Sequence, residues 1–178
     1  MHSVATVSEW IRRIVGHEGE SLSLHRTDRG NWTSGQVGVG ELKGSKFGIS
    51  AMSYPRLDIA NLTLEQAADI YITDYLAPLG ADRFADGVAY QLLDFAVNSG
   101  PSRAAKAIQT EIGVKADGVI GERTRAAVNA RSETDLIMLV NAFRLNFLAR
   151  QPAEWLAKFG PGLMNRMAEN LRYGALDS

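Results

Sequence analysis

Residues 84–97 read FADGVAYQLLDFAV, and this stretch decides the fold class. Its apolar residues fall on most sides of a helix rather than on one stripe, which predicts a central, buried helix. Asn98-Ser99-Gly100-Pro101 ends it and opens a short helix that closes near Gly113. Asp117-Gly118 makes a tight turn, and a further helix is expected over Arg123 to Ala130. Ser132-Glu133-Thr134-Asp135 caps a long helix through Ala149, with Leu136, Ile137, Leu139, Val140, Phe143 and Phe147 as its core face. Pro152 breaks that helix. Trp155, Leu156 and Phe159, then Leu163, Met164, Met167 and Leu171, predict two closing helical segments.

Upstream, Thr63-Leu64-Glu65-Gln66 is a capping box that starts a helix running to about Leu76, with Pro78 and Gly80 as its stop signals. At the front, Thr6-Val7-Ser8-Glu9 reads as a second capping box. Val7, Trp10, Ile11, Ile14 and Val15 follow it at helical spacing. Between these helices, residues 20–50 carry Gly30, Gly35, Gly38, Gly40, Gly44 and Gly48 with little periodicity, which predicts loops and a short hairpin. The expected class is all-α, with a small irregular or β lobe at about 20–50.

The bulk properties narrow the function. The chain has 178 residues, 46% hydrophobic and 22% charged, an ordinary globular balance. A formal net charge of −1 gives no reason to expect a nucleic-acid partner. The absence of cysteine excludes disulfides and thiolate metal sites. No run approaches the roughly 20 apolar residues of a membrane span. Glu9, Arg12 and Arg13 interrupt the N-terminal apolar residues, so no signal peptide is read and cytoplasmic synthesis is expected. His2, His17 and His25 lack the spacing of the two-His helical metal motif, and no metal or cofactor is expected. The glycines form neither a phosphate-cradling loop nor a nucleophile elbow.

Glu18 is the strongest candidate for chemistry. It lies four residues after Ile14 and seven after Ile11, so a continued helix would carry it on the apolar stripe. Burial on such a face raises a carboxyl pKa, and the negative end of a helix adds to the effect. A carboxylic acid held protonated in this way is suited to donating a proton to a glycosidic oxygen. The alternative is an ordinary helix-end carboxylate paired with a nearby Arg or His. Asp28, ten residues on, is either the second carboxylate of such a site or an Asx-turn residue beside Arg29-Gly30. Glu41 is a weaker candidate for the same role. Ser45 is either a hydroxyl that holds a catalytic water or a turn residue. Trp32 and Phe47 either stack on sugar faces or pin the loop to the core.

Four segments together resemble the glycoside hydrolase family 108 muramidases, which include bacteriophage endolysins and bacterial proteins described as secretion activators. His17-Glu18-Gly19-Glu20 resembles the family's catalytic Glu-Gly-Gly-Tyr, with Glu18 matching its acid. Ser45-Lys46-Phe47-Gly48-Ile49-Ser50 resembles its Thr-x-Tyr/Phe-Gly-Ile-Thr. Asn61 to Ala67 with Ile70 to Tyr75 resembles its Thr-x-x-Gln-Ala-x-x-Ile-Tyr and Asp-Tyr helix. Asp94 to Gly100 resembles its central helix and exit. Further on, Ala104 to Gly113, Ala116-Asp117-Gly118-Val119-Ile120-Gly121 and Thr124 resemble the peptidoglycan-binding module that accompanies the family, and Phe159-Gly160-Pro161-Gly162 resembles its closing turn.

The resemblance spans roughly residues 7 to 174. It departs at Glu20 (usually Tyr), Ser45 (usually Thr), Leu163 (usually aromatic) and in a longer loop before Phe47. It implies a lysozyme-like fold with a catalytic part over 1–98 and a peptidoglycan-binding module over 99–178, packed as one unit. It further implies hydrolysis of the β-1,4 bond between N-acetylmuramic acid and N-acetylglucosamine, in phage lysis or in a secretion-associated role. Glu18, Asp28 and Ser45 are the expected catalytic residues, and Trp32, Phe47, Tyr71 and Asn98 the expected substrate-binding ones. Gln91 and Asp94 are expected to be buried hydrogen-bonding groups. The expected partner is bacterial peptidoglycan, met by a monomer in the periplasm after release through a membrane pore. A lytic transglycosylase and a non-catalytic wall-binding protein are the competing readings.

Overall fold

The computed structural model describes residues 2–177, apart from the side chains of His17, Glu18, Lys158 and Asp177. The chain is mainly helical and divides into two compact units, His2–Ile72 and Thr73 onward.

In the first unit, α1 (Val4–Val15) is capped by Ser3, whose Oγ accepts the Thr6 amide at 3.1 Å. The cap therefore lies three residues before the expected Thr6 box, and Thr6 itself is inside the helix. Val7, Trp10, Ile11 and Ile14 form the buried stripe of α1. This helix packs on α2 (Leu64–Tyr71). The Thr63 box is complete: the Gln66 amide donates to Thr63 Oγ1 at 3.2 Å, and the Thr63 amide donates to Gln66 Oε1 at 2.9 Å. Between the helices, β1 (Ser45–Lys46) and β2 (Ile49–Ser50) form a short antiparallel hairpin with Lys46 opposite Ile49. Single bridges Ser23–Ser45 and Trp32–Leu42 extend the lobe.

A π-helical turn Ile72–Leu76 leads the chain into the second unit, and the short α3 (Ala77–Leu79) that follows ends at Gly80, which adopts a left-handed conformation. Helical geometry thus runs past the expected end, and Pro78 is accommodated in the first turn of α3, where a missing N–H costs little. The central helix α4 (Asp86–Ser99) has every residue from Gly87 to Ala96 buried. It packs against α5 (Pro101–Glu111), α7 (Glu133–Ala149) and α8 (Ala153–Asp177), with α6 (Glu122–Asn129) between α5 and α7 in sequence.

Within the second unit, α4 is built into the helices that follow it. Two expectations are corrected here. The closing segment is one helix rather than two, with Pro161 inside it. Its later turns are held by buried Met167, Asn170 and Gly174. A Cβ at Gly174 would stand 2.5 Å from Ile137 Cγ2, so glycine sets the close approach of α8 to α7. On α7, Asn141 and Arg144 are buried where Leu139, Phe143 and Phe147 were expected, and these three are half-buried.

The polar residues of α7 reach a charged cluster on α4. Asp94 Oδ2 accepts from Arg144 Nη2 at 2.6 Å and from Asn170 Nδ2 at 2.6 Å, while Oδ1 accepts from Arg166 Nε at 2.8 Å. Gln91 extends the cluster, donating to the Asn170 carbonyl at 2.8 Å and accepting from Asn141 at 3.1 Å. Gln91 and Asp94 are thus buried hydrogen-bonding groups, as expected. No helix among the described residues is long and apolar enough to cross a membrane.

Candidate active site

The site is built where α1 stops. Gly16 leaves the helix at φ 63°, and its amide closes the last turn on the Arg12 carbonyl at 2.9 Å. The chain then makes one 3-10 turn, His17–Glu20, which carries Glu18. The backbone break at Gly16 means that the stripe of Ile11 and Ile14 is not continued to Glu18 by a helix, which corrects the geometric premise for its position. The side chain of Glu18 lies outside the described residues.

Gly19 fixes this turn to the hairpin. Its carbonyl accepts the Phe47 amide at 2.6 Å. A Cβ at Gly19 would lie 2.4 Å from Val15 Cβ, so no larger residue sits on that turn without displacing it. Phe47 and Gly48 form the two-residue hairpin loop, both at positive φ, 53° and 74°. This is the backbone a type I′ turn demands, which glycine and asparagine adopt more readily than phenylalanine.

Val15, Gly19, Ser21, Ser23, Ser45 and Lys46, with Gly48, line a cleft of about 270 Å³. Ser45 and Ser23 pair through both backbone bonds, at 2.8 and 3.0 Å. The cleft therefore carries three serines and one lysine beside the turn that bears Glu18.

The other expected site residues separate into two groups. Asp28 is exposed and caps the 3-10 turn Arg29–Asn31, its Oδ1 accepting the Gly30 amide at 2.8 Å. Glu41 is an exposed loop residue ion-paired with Lys43 at 3.3 Å. Trp32 is buried, and its indole N–H donates to the Arg26 carbonyl at 2.9 Å. Phe47 is buried under the Lys46 ammonium, 5.1 Å from the ring centre. Tyr71 is 1% exposed, and its hydroxyl donates to the Phe47 carbonyl at 3.1 Å. These three aromatics hold the lobe together rather than offering open faces for stacking. Asn98 belongs to the second unit, where its amide donates to the Asp94 carbonyl at 2.7 Å near the end of α4.

Sequence reasoning missed Ser21 and Ser23 as cleft residues. Their signal was the alternation Ser21-Leu22-Ser23-Leu24, a period of two that marks a strand-like segment with one polar face. It also missed Gln109, which organises the Asp117-Gly118 turn. The buried Gln109 amide donates to Asp117 Oδ1 at 2.9 Å, to the Val119 carbonyl at 2.9 Å and to Thr124 Oγ1 at 3.2 Å, and accepts the Gly118 amide at 2.8 Å. The bonds from Gln109 and from the Val119 amide hold the Asp117 carboxyl below the usual range.

Comparison with known proteins bears on the fold and on the family. The solved structure of Brucella abortus SagA is similar over 99% of this chain and 97% of that chain, at 26% identity and a TM-score of 0.74. The mainly helical fold with its small hairpin lobe is lysozyme-like. No curated protein sequence matches the chain. The model of glycosyl hydrolase 108 matches residues 11–100, which include the 3-10 turn of Glu18, the hairpin and the cleft between them. By this match over half of its length, the chain belongs to glycosyl hydrolase family 108 and is a glycoside hydrolase by family.

Proposed function

We propose that the protein is a muramidase that hydrolyses the β-1,4 bond between N-acetylmuramic acid and N-acetylglucosamine in bacterial peptidoglycan. The observation that carries this reading is the Gly19–Phe47 backbone bond, which ties the turn of Glu18 to the edge of a cleft within the family-matched segment. Glu18 is the general acid that protonates the leaving oxygen. Asp28 stabilises positive charge at the sugar or activates water, and Ser45 orients that water. Residues 99–178 hold the wall polymer. The role is that of an endolysin, made in the host cytoplasm and released to the periplasm through a membrane pore, with a secretion-associated role as its alternative.

One observation favours a second reading. Asp28 Oδ1 is engaged in capping the Arg29–Asn31 turn. A lytic transglycosylase needs the acid but no water-activating carboxylate, and would leave anhydro ends. Digestion of Gram-negative peptidoglycan by wild type and Glu18→Gln, followed by mass spectrometry, separates the cases. Reducing muramic acid ends from wild type alone support the muramidase. Anhydro ends support the transglycosylase, and fragments from neither protein support a non-catalytic wall binder.

A further inference from the structure

The segment Ser21–Leu24 has two faces. Ser21 and Ser23 line the cleft described above, whereas Leu22 and Leu24 line a separate groove of about 370 Å³ in the same unit. Such alternation is what an extended segment imposes, since successive side chains point to opposite sides. Leu42 and Leu57 complete the apolar wall, and Lys43 and Arg56 stand at the groove as cations. Gly44 makes this wall possible. At φ 83°, a Cβ there would meet the Ser23 carbonyl at 2.4 Å, Leu24 Cδ2 at 2.8 Å and Leu22 Cδ1 at 3.0 Å.

The charges at the groove are not equivalent. Lys43 already donates to the Pro55 carbonyl at 2.9 Å and pairs with Glu41. Asp58, the acid of the groove, is occupied by Asn61, whose side chain and backbone bonds hold its carboxyl below the usual range. Arg56 is exposed and has no hydrogen bond or ion pair among the described residues. The groove thus offers leucine surface, half of Leu24 being exposed, next to one uncommitted guanidinium. The complementary ligand carries small apolar groups beside a carboxylate. A guanidinium fork meets a carboxylate with two parallel hydrogen bonds, so the match is geometric as well as electrostatic.

We propose that this groove binds the peptide stem of the wall polymer. The inference rests on the peptidoglycan reading above and deepens it. The stem is covalently joined to the muramic acid of the glycan, and its alanine methyls and free carboxylates fit the leucines and Arg56. The two sites are the opposite faces of one extended segment. A sheet layer is about 10 Å thick from face to face, and a four-residue peptide extends to about 13 Å, so a stem attached to a sugar in the cleft is long enough to pass round the segment. The protein then selects glycan that still carries its peptides over glycan that has been stripped of them.

Two measurements test this. Wild type is compared on intact sacculi and on the same glycan freed of peptides by amidase, together with Arg56→Ala and Leu24→Ser, whose exposed positions leave the fold intact by circular dichroism. Wild type is expected to cleave intact glycan at least tenfold faster, and in both variants the ratio of the two rates falls toward one. A wild-type ratio near one overturns the proposal. In the second measurement the isotope-labelled full chain is titrated with the free stem tetrapeptide of alanine, glutamate, diaminopimelate and alanine, and followed by amide NMR shifts. Shifts at Leu24, Leu42 and Arg56 that vanish in Arg56→Ala support the groove even if neither glycan is cleaved, in which case only the muramidase reading fails. No shifts at these amides overturn the groove even if glycan is cleaved.

Discussion

The Tyr71 hydroxyl on α2 donates to the Phe47 carbonyl at 3.1 Å, and Phe47 is the non-glycine residue at positive φ among the described residues. A left-handed phenylalanine costs about 1–2 kcal/mol relative to ordinary backbone. Two bonds offset that cost: the one from Tyr71 and the 2.6 Å bond from the Phe47 amide to the Gly19 carbonyl. The hairpin tip, the turn of Glu18 and α2 are therefore one mechanical assembly.

Tyr71→Phe removes the first bond and leaves a buried carbonyl unsatisfied. The expected cost is about 1–3 kcal/mol of unfolding free energy. Urea denaturation reads this directly, and faster hydrogen exchange at the amides of Gly48 and Ile49 locates the loosening in the hairpin.

Gly19→Ala strikes the second bond. The added methyl stands 2.4 Å from Val15 Cβ, so either α1 or the turn must move. Overpacking of this kind typically costs about 1–3 kcal/mol. Because the displaced turn bears Glu18, glycan hydrolysis at a temperature where the variant is fully folded is expected to fall at least tenfold. Activity that tracks stability alone would instead assign Gly19 to packing.

The helices were legible because their signals are local. The Thr63 and Ser132 caps and the apolar run 84–97 each announce themselves within a few residues. The tie between α4 and the later helices was not legible. It depends on Asp94 meeting Arg144 and Arg166, partners 50 and 72 residues away that no local pattern connects. The same limit explains α7, where a polar pair was buried in preference to two phenylalanines. At the site, the family-like segments located Glu18 and the hairpin, but the residues lining the cleft followed from the pairing of Ser23 with Ser45, a long-range contact. Sequence left Trp32, Phe47 and Tyr71 between sugar contact and packing, because it does not reveal how deeply each is buried.

Asp94 gives a pH prediction. Burial pushes its carboxyl up, but the charges of Arg144 and Arg166 and their hydrogen bonds outweigh burial, and the net direction is down. A depressed folded pKa contributes stability that is present above the unfolded value, about 3.9, and is lost as pH falls through the folded value. Wild type is expected to hold its stability above about pH 5 and lose it progressively below about pH 4. Asp94→Asn strands two arginines, one of them buried, at a cost of about 3–5 kcal/mol at neutral pH. Thermal melts across this range check both points, and the variant's curve is expected to be flatter in acid.

Gln109→Leu tests the second unit. It removes four hydrogen bonds around Asp117, Gly118, Val119 and Thr124 while keeping a similar volume. The expected loss is about 1–3 kcal/mol, since the Gly118 amide loses its acceptor. If residues 99–178 hold the wall, pelleting of the full chain with insoluble peptidoglycan weakens in this variant, while cleavage of short soluble muropeptide chains continues. Unchanged pelleting would remove the binding role from this turn.

Asp28 poses the sharpest division between structure and chemistry, because the same carboxylate caps a turn and is the proposed second catalytic group. Asp28→Asn separates the two roles. Asparagine retains an oxygen for the Gly30 amide, 2.8 Å from Oδ1, so the turn and the melting temperature are expected to stay as in wild type. The charge is gone, however, and general-base or electrostatic assistance is typically worth about 10²–10⁴-fold in rate. A fall of that size in kcat with unchanged stability makes Asp28 part of the hydrolytic chemistry. Full activity in Asp28→Asn, together with anhydro ends in the products, would make Asp28 a turn residue and the enzyme a transglycosylase driven by Glu18 alone.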